Sequence, residues 1–188
     1  MPRIRITGGD WRSRLIRVAD APGLRPTPDR VRVTLFNWLG QSLAGLACLD
    51  LFAGSGILGF EAASRGAARV TLVERDQGAF AALRQNAQLL GEERLELIRA
   101  DAVKFAAVAG HRAAGQDDER SGRYDLIFLD PPYHQGWLER LQPLLADLVN
   151  PGARLYVEAE RAIEALGSWR AVRRGQAGQV FYHLLERP

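Results

Sequence analysis

Cysteine is nearly absent from this 188-residue chain. Cys48 stands alone, so no internal disulfide can form, and its place within an apolar run makes it core filler. Only three scattered histidines accompany it. No metal-ligating set is visible, and no bound metal is expected. No apolar run reaches the roughly 20 residues of a membrane span. The N-terminal stretch carries charge but no apolar segment that could act as a secretory leader. A cytoplasmic protein without membrane contacts is therefore expected. Lysine is equally scarce: Lys104 is the only one, and arginine supplies the other cations.

Those arginines are concentrated at the front. Residues 1–32 hold eight arginines against three aspartates, a net charge of +5 in a chain whose total is +3. The remainder is therefore −2, and a basic front on a mildly acidic body suggests a polyanionic partner. Arg3-Ile4-Arg5-Ile6-Thr7 alternates basic and apolar residues, Gly8-Gly9 can turn, and Leu15-Ile16-Arg17-Val18 can return as a second strand. Trp11, Arg12 and Arg14 fall near the bend. An aromatic among arginines suits RNA or a single strand, through stacking and phosphate contacts; a small hairpin packed on the body, with its arginines merely solvated, would look the same. Residues 1–24 are thus expected to form a basic hairpin arm that contacts RNA through Arg3, Arg5, Trp11, Arg12 and Arg14. Beyond it, Thr27 is placed to cap a helix with Pro28 at its first position. Arg25 and Arg30 flank that bend.

Residues 25–188 read as one further domain in which strands and helices alternate. Strands are expected at 46–52, 70–73, 95–98, 124–129 and 154–157. Helices are expected from Phe60 to Arg65, along the stripe Ala79–Leu90, over Val103–Ala109, and through Trp137, Leu141, Leu145 and Leu148. This alternation means a mostly parallel sheet covered on both faces. The tail differs: 169–174, a turn at Gly175–Gly178 and 180–185 read as a closing hairpin. The polar stretch 111–123 reads as a mobile loop.

The organising stretch is Leu49-Asp50-Leu51-Phe52-Ala53-Gly54-Ser55-Gly56-Ile57-Leu58-Gly59. A buried strand followed by glycines at G-x-G-x-x-G spacing and a helix is a nucleotide-binding pattern, and Glu74 lies where a carboxylate would meet ribose hydroxyls. An ordinary strand-to-helix turn would use the same glycines. Asp50 separates the ligands. A carboxylate at the mouth of the loop repels the pyrophosphate of NAD and attracts a ligand that is cationic there. S-adenosylmethionine fits, having an adenosine, no phosphate, a sulfonium and an ammonium. Asp50, Glu74, Asp101 and Asp130 each close a strand, so all four can converge at the carboxyl edge of the sheet.

Leu129-Asp130-Pro131-Pro132-Tyr133 carries the chemistry. Two prolines remove two donors and fix two φ angles, holding the Asp130 carboxylate and the Pro131 carbonyl as paired acceptors. Two acceptors suit an exocyclic amine, which has two N–H bonds to give, and Tyr133 can stack on the attached base. Asp-Pro-Pro-Tyr resembles the signature of methyltransferases acting on exocyclic nitrogens of adenine, cytosine or guanine. With Ile6-Thr7-Gly8-Gly9-x-Trp11-Arg12-x-Arg14, Leu24-Arg25-Pro26-Thr27-x-Asp29-Arg30-Val31-Arg32, Leu35-Phe36-Asn37-Trp38-Leu39 and Gly178-Gln179-Val180, nearly the whole chain resembles the RsmD family of 16S ribosomal RNA guanine-N2 methyltransferases.

The resemblance implies an α/β, Rossmann-like class I methyltransferase. Its mostly parallel seven-stranded sheet would carry an antiparallel C-terminal hairpin strand, with the N-terminal β-hairpin as an arm. It implies roles as well: Gly54 and Gly56 border the methionine part of S-adenosylmethionine, Asp50 lies near its amino group, and Glu74 binds the ribose. Asp101 and the Ala102 backbone would read the adenine edge, although Asp101 could equally be only a helix cap. Asp130, Pro131 and Tyr133 would hold the target base. The expected partner is ribosomal RNA within small-subunit particles, met by a monomer. A DNA adenine-N6 or cytosine-N4 methyltransferase shares Asp-Pro-Pro-Tyr, but no target-recognition domain is visible. A non-catalytic RNA-binding module would have no use for the intact 130–133 block.

Overall fold

A computed structural model describes residues 2–19, 26–91, 93–114 and 122–187. Its strands are β1 (Arg3–Arg5), β2 (Leu15–Arg17), β3 (Ala47–Asp50), β4 (Arg69–Glu74), β5 (Leu95–Arg99), β6 (Tyr124–Leu129), β7 (Val149–Ala159), β8 (Ala165–Leu166), β9 (Trp169–Ala177) and β10 (Val180–Glu186). Its helices are α1 (Asp29–Leu39), α2 (Ile57–Ser64), α3 (Gln77–Leu90), α4 (Ala102–Ala114) and α5 (Trp137–Leu141), with a 3-10 helix at Gln142–Leu148. The main sheet has the order β5-β4-β3-β6-β7-β10-β9-β8. β5, β4, β3, β6 and β7 run parallel, and β10, β9 and β8 close the sheet antiparallel. The seven expected strands are present, and two-residue β8 adds an eighth at the edge.

Parallel strands buried on both faces draw on residues of both parities, and the core divides accordingly. Cys48, Val70, Leu72, Leu126, Phe128 and Tyr156 face one layer with α1, α2 and α3. Leu49, Val73, Ile127, Leu129, Leu155 and Val157 face the other, with α4, α5 and the 3-10 helix. Asp76 caps α3 by accepting the Ala79 N–H at 2.8 Å, and α1 stops at Gly40 in the left-handed conformation. No helix among the described residues is long and apolar enough to cross a membrane.

The basic hairpin, β1 and β2, is packed into this body. Ile6, Trp11 and Ile16 belong to the same core layer as α1 and α2. A Cβ on Gly9 would lie 1.9 Å from the Ser64 carbonyl oxygen, so only glycine permits the approach. There the Asp10 N–H bonds to the Ser64 carbonyl at 2.7 Å and the Trp11 N–H to Ser64 Oγ at 2.9 Å. Trp11 is therefore corrected as a stacking residue: at 7% exposure its indole is core, not a platform for bases.

Beneath the hairpin lies a buried ionic network. Arg32 and Glu61 are fully buried and pair at 2.6 Å. Arg32 also donates to the Thr27 and Arg5 carbonyls at 3.1 and 2.9 Å and to Asp29. Glu61 further accepts from the Thr7 N–H and hydroxyl at 2.6 and 2.7 Å and from Arg65 at 3.3 Å. One of the eight front arginines is thus neutralised inside the fold and contributes nothing to a surface for polyanions.

Five other expectations shift. Thr27 makes no helix cap; α1 begins after Pro28 with no side-chain cap, and the Thr27 hydroxyl bonds to Glu158 instead. The expected helix across 137–148 breaks into α5 and the 3-10 segment because Pro143 at its start has no N–H to continue the α ladder. β7 extends back through the Pro151-Gly152 pair placed before it as a turn. The closing turn is Gly178-Gln179; Gly175 stays in β9 because the Tyr182 ring lies where its Cβ would be, with Cζ at 2.2 Å. Of the stretch 111–123, residues 111–114 continue α4. Arg25 and residues 115–121 lie outside the described residues.

Candidate active site at the carboxyl edge of the sheet

The chain runs from β3 to β4 and β5 on one side and returns to β6 on the other. The crevice at the ends of β3 and β6 is therefore the topological switch point, where open α/β sheets bind ligands. Parallel register sets its contents. Asp50 lies opposite Phe128, and Phe128 opposite Tyr156. Side chains two residues apart share a face, so Asp50, Asp130 and Glu158 project on the same side, toward the layer of α1 and α2.

Asp50 is 2% exposed and its Oδ1 has no hydrogen-bond partner. Burial pushes its pKa up from 3.8 to about 7; backbone N–H groups of Phe52 and Gly59 oppose this, and the charges of Glu74 and Glu158 add to it. Glu74 closes β4. Its Oε2 accepts the Gly54 N–H at 2.8 Å and its Oε1 the Asp76 N–H at 2.7 Å, which fastens the glycine loop to the neighbouring strand. Gly56, at φ 79°, has no room for a Cβ, which would lie 2.4 Å from Leu83 Cδ2 and 2.5 Å from Phe60 Cε2. Asp101 Oδ1 accepts the N–H groups of Val103 and Lys104 at 3.0 and 3.1 Å, so it does cap α4. Buried Ala102 opens that helix.

Past β6, Pro131 is buried and Tyr133 half-buried. Burial, with Glu158 and Asp50 close by, holds the Asp130 pKa well above 3.8. The Tyr133 phenol is pushed up to about 12, first by burial and then by Asp130, Glu158 and Glu160. It stays protonated at working pH and is no base.

Glu158 escaped the sequence reading. It is 3% exposed, and its Oε1 accepts the hydroxyls of Thr27 and Tyr156, each at 2.9 Å. Burial raises its pKa above 4.5 while those two hydrogen bonds lower it. The available signal was Tyr156-Val157-Glu158 in a strand beside Asp130, but its use required the register. Thr27 also joins the site to the hairpin: Arg32 binds the Thr27 and Arg5 carbonyls together.

Buried Asp50 and Glu158, with half-buried Asp130 and Glu74 alongside, make a crevice that favours a cationic ligand. Asp50 Oδ1, buried and lacking a donor, is the atom such a ligand would meet. The donor set fits S-adenosylmethionine, which brings an ammonium and no phosphate. An Asp50 that meets the ammonium must be ionised, so on that role affinity for S-adenosylmethionine is expected to fall below pH 7, approaching tenfold per pH unit, and to level off above that. Calorimetric titration from about pH 5.5 to 8.5 measures this, and a flat profile contradicts the role. The folded-state pKa exceeds that of the unfolded chain, so Asp50 costs stability as pH rises through 7. At about pH 8, Asp50→Asn is expected to gain on the order of 2–4 kcal/mol of stability while losing the ligand.

Comparison with known proteins agrees with this geometry. The family model described as Conserved hypothetical protein 95 matches residues 4–186. Ribosomal RNA small subunit methyltransferase D of Escherichia coli K12 is 40% identical over 98% of this chain and 90% of its own length. The Haemophilus influenzae protein of the same name is 37% identical over 97% and 93%. The solved structure of yhhF from Escherichia coli superposes with a TM-score of 0.82 at 40% identity, covering 99% of this chain and 98% of that one. Fold and site together define a class I S-adenosylmethionine-dependent methyltransferase. The chain belongs to the RsmD family of ribosomal RNA methyltransferases.

Proposed function

We propose that this protein, a cytoplasmic monomer, methylates the exocyclic N2 of a guanine in 16S ribosomal RNA within small-subunit particles. The observation that carries the proposal is the placement of half-buried Asp130 and buried Pro131, stiffened by two successive prolines, on the same crevice as the unpartnered Asp50 Oδ1.

Asp50 would hold the ammonium of S-adenosylmethionine, Gly54 and Gly56 its methionine part, Glu74 the ribose hydroxyls, and Asp101 with the Ala102 backbone the adenine edge. When bound, that group supplies an electrophilic methyl on a positively charged sulfur. The remaining work belongs to the protein. The Asp130 carboxylate and the Pro131 carbonyl accept the two N2–H bonds of guanine, favour a pyramidal nitrogen and aim its lone pair outward. The Tyr133 ring supports the base by stacking. After transfer, the nitrogen is acidic and gives its proton to an Asp130 carboxyl oxygen, whose proton affinity is raised by burial and by Glu158. Pairing Asp50 with a cation weakens the repulsion on Asp130 beforehand, so that it can enter the cycle ionised. The base must leave its stack, or be presented unpaired, to reach this depth.

Exposed Arg3, Arg5, Arg12 and Arg14 on the packed hairpin would engage RNA phosphates. Replacing all four with alanine is expected to leave S-adenosylmethionine affinity near wild type and to weaken RNA binding. The log–log salt slope should flatten by roughly 0.7–0.9 for each phosphate no longer neutralised by an arginine. Solvated arginines with no RNA role would leave both quantities unchanged in a salt titration.

The activity itself is tested by nucleoside analysis after incubation with labelled S-adenosylmethionine. N2-methylguanine in small-subunit RNA supports the proposal. N6-methyladenine or N4-methylcytosine in DNA would replace it, and no labelled nucleoside would indicate a binding module.

A further inference from the structure

The motif Gly178-Gln179-Val180 has no part in the chemistry above, yet its hairpin reaches the site. β9 and β10 are joined by the turn Gly178-Gln179, and Gln176 pairs with Phe181 across the hairpin. Tyr133, His134, Glu160, Gln176, Gln179 and Phe181 line one cavity of about 340 Å³, within the span of roughly 300–1,000 Å³ typical of small-ligand sites. One wall is fixed by Glu160, which accepts the His134 N–H and pairs with its Nδ1 at 2.6 Å. This holds His134 at φ 61°, directly after Tyr133. Half-buried Tyr133 and Phe181 supply two aromatic rings.

Gln176 is oriented as well. Its Nε2 donates to the Gly178 carbonyl at 3.0 Å. That bond engages the amide nitrogen, and Oε1 accepts no hydrogen bond from the described residues.

We infer that this cavity receives the target base and that Gln176 selects guanine there, an inference that rests on the N2-methylation proposed above. Among bases with an exocyclic amine, guanine alone carries an N–H beside it, at N1. Adenine and cytosine present a bare nitrogen acceptor at the corresponding position. Gln176 shares this cavity with Tyr133, which follows the acceptor pair of Asp130 and Pro131 in the chain, so its amide oxygen would offer a further acceptor to guanine N1–H and would oppose a lone pair if the base were adenine or cytosine.

The test uses the full-length protein and unmethylated small-subunit RNA assembled into particles. The nucleotide methylated by the wild-type enzyme is first mapped; failure to form N2-methylguanine there overturns the parent proposal together with this one. At the mapped position guanine is then replaced by 2,6-diaminopurine, which keeps the 2-amine but has a bare N1. The wild type is expected to methylate the analogue about tenfold to hundredfold more slowly than guanine. Gln176→Leu should lose most of its rate on guanine and treat the two bases alike. Gln176→Glu, which keeps the acceptor, should retain the preference. Unchanged S-adenosylmethionine affinity in both variants shows that the cofactor crevice is intact. A wild type indifferent to the analogue, or a Gln176→Leu variant as selective as wild type, overturns the role of Gln176 while leaving N2-methylation standing.

Discussion

Replacing Asp130 with alanine is expected to lower turnover by about 10³-fold while changing S-adenosylmethionine affinity little. The half-buried residue follows directly where β6 ends, and the backbone that carries it is held by Pro131 and Pro132. Alanine therefore removes an acceptor without moving the frame. The loss has two parts, the orientation of the N2 lone pair and the proton sink after transfer. Asp130→Asn separates them: it keeps an acceptor oxygen but cannot take the proton. Single-turnover rates with small-subunit particles, alongside calorimetry with S-adenosylmethionine, measure both. Asp130→Ala turnover within about tenfold of wild type would remove Asp130 from the mechanism. A loss of S-adenosylmethionine affinity equal to the loss of rate would make it a cofactor ligand instead.

Arg32→Met is expected to destabilise the protein by about 3–5 kcal/mol, because it strands the fully buried Glu61 carboxylate. Against a total of roughly 5–15 kcal/mol for a domain, that is enough to unfold much of the population. Thr7 and Arg65 still bond Glu61 in the variant, which sets the lower end of the range. The paired change Arg32→Met with Glu61→Leu should recover most of the loss, since replacing both members of a buried ion pair by apolar residues is nearly neutral. Urea unfolding of the two variants measures this. A single variant within about 1 kcal/mol of wild type would show that water or rearrangement compensates Glu61. Because Arg32 also bonds the Thr27 carbonyl, and the Thr27 hydroxyl bonds Glu158, partial unfolding here should reach the active site before it reaches β4 and β5.

These two residues show where sequence reasoning succeeded and where it stopped. The place of Asp130 at the end of β6 was legible because its signals are local: two prolines and an aromatic follow it directly, and a strand of unmistakable apolarity precedes it. The positions of Asp50, Gly54, Gly56 and Glu74 were legible for the same reason, as one strand–loop–helix unit and the end of the next strand. Arg32 was misjudged. In sequence it is one more arginine in a basic front; in the fold it is the most deeply paired cation of the hairpin's base. Trp11 was misjudged likewise, since an indole among arginines suits either a base or a core, and only the approach of Gly9 to Ser64 decides for the core. Glu158 was missed because no local pattern marks it.

The alternation of strands and helices, the parallel sheet, the glycine loop and the acidic strand ends are written locally into the chain. Each depends on period, on proline and glycine stereochemistry, or on residues within a few positions of one another. Which arginines carry exposed charge, which carboxyls share the crevice and that the closing hairpin meets Tyr133 emerge only on folding. Those outcomes depend on strand register and on burial. A register pairs residues far apart in the chain, and burial turns the same guanidinium or carboxyl from a solvated charge into a paired ion or a titrating acid.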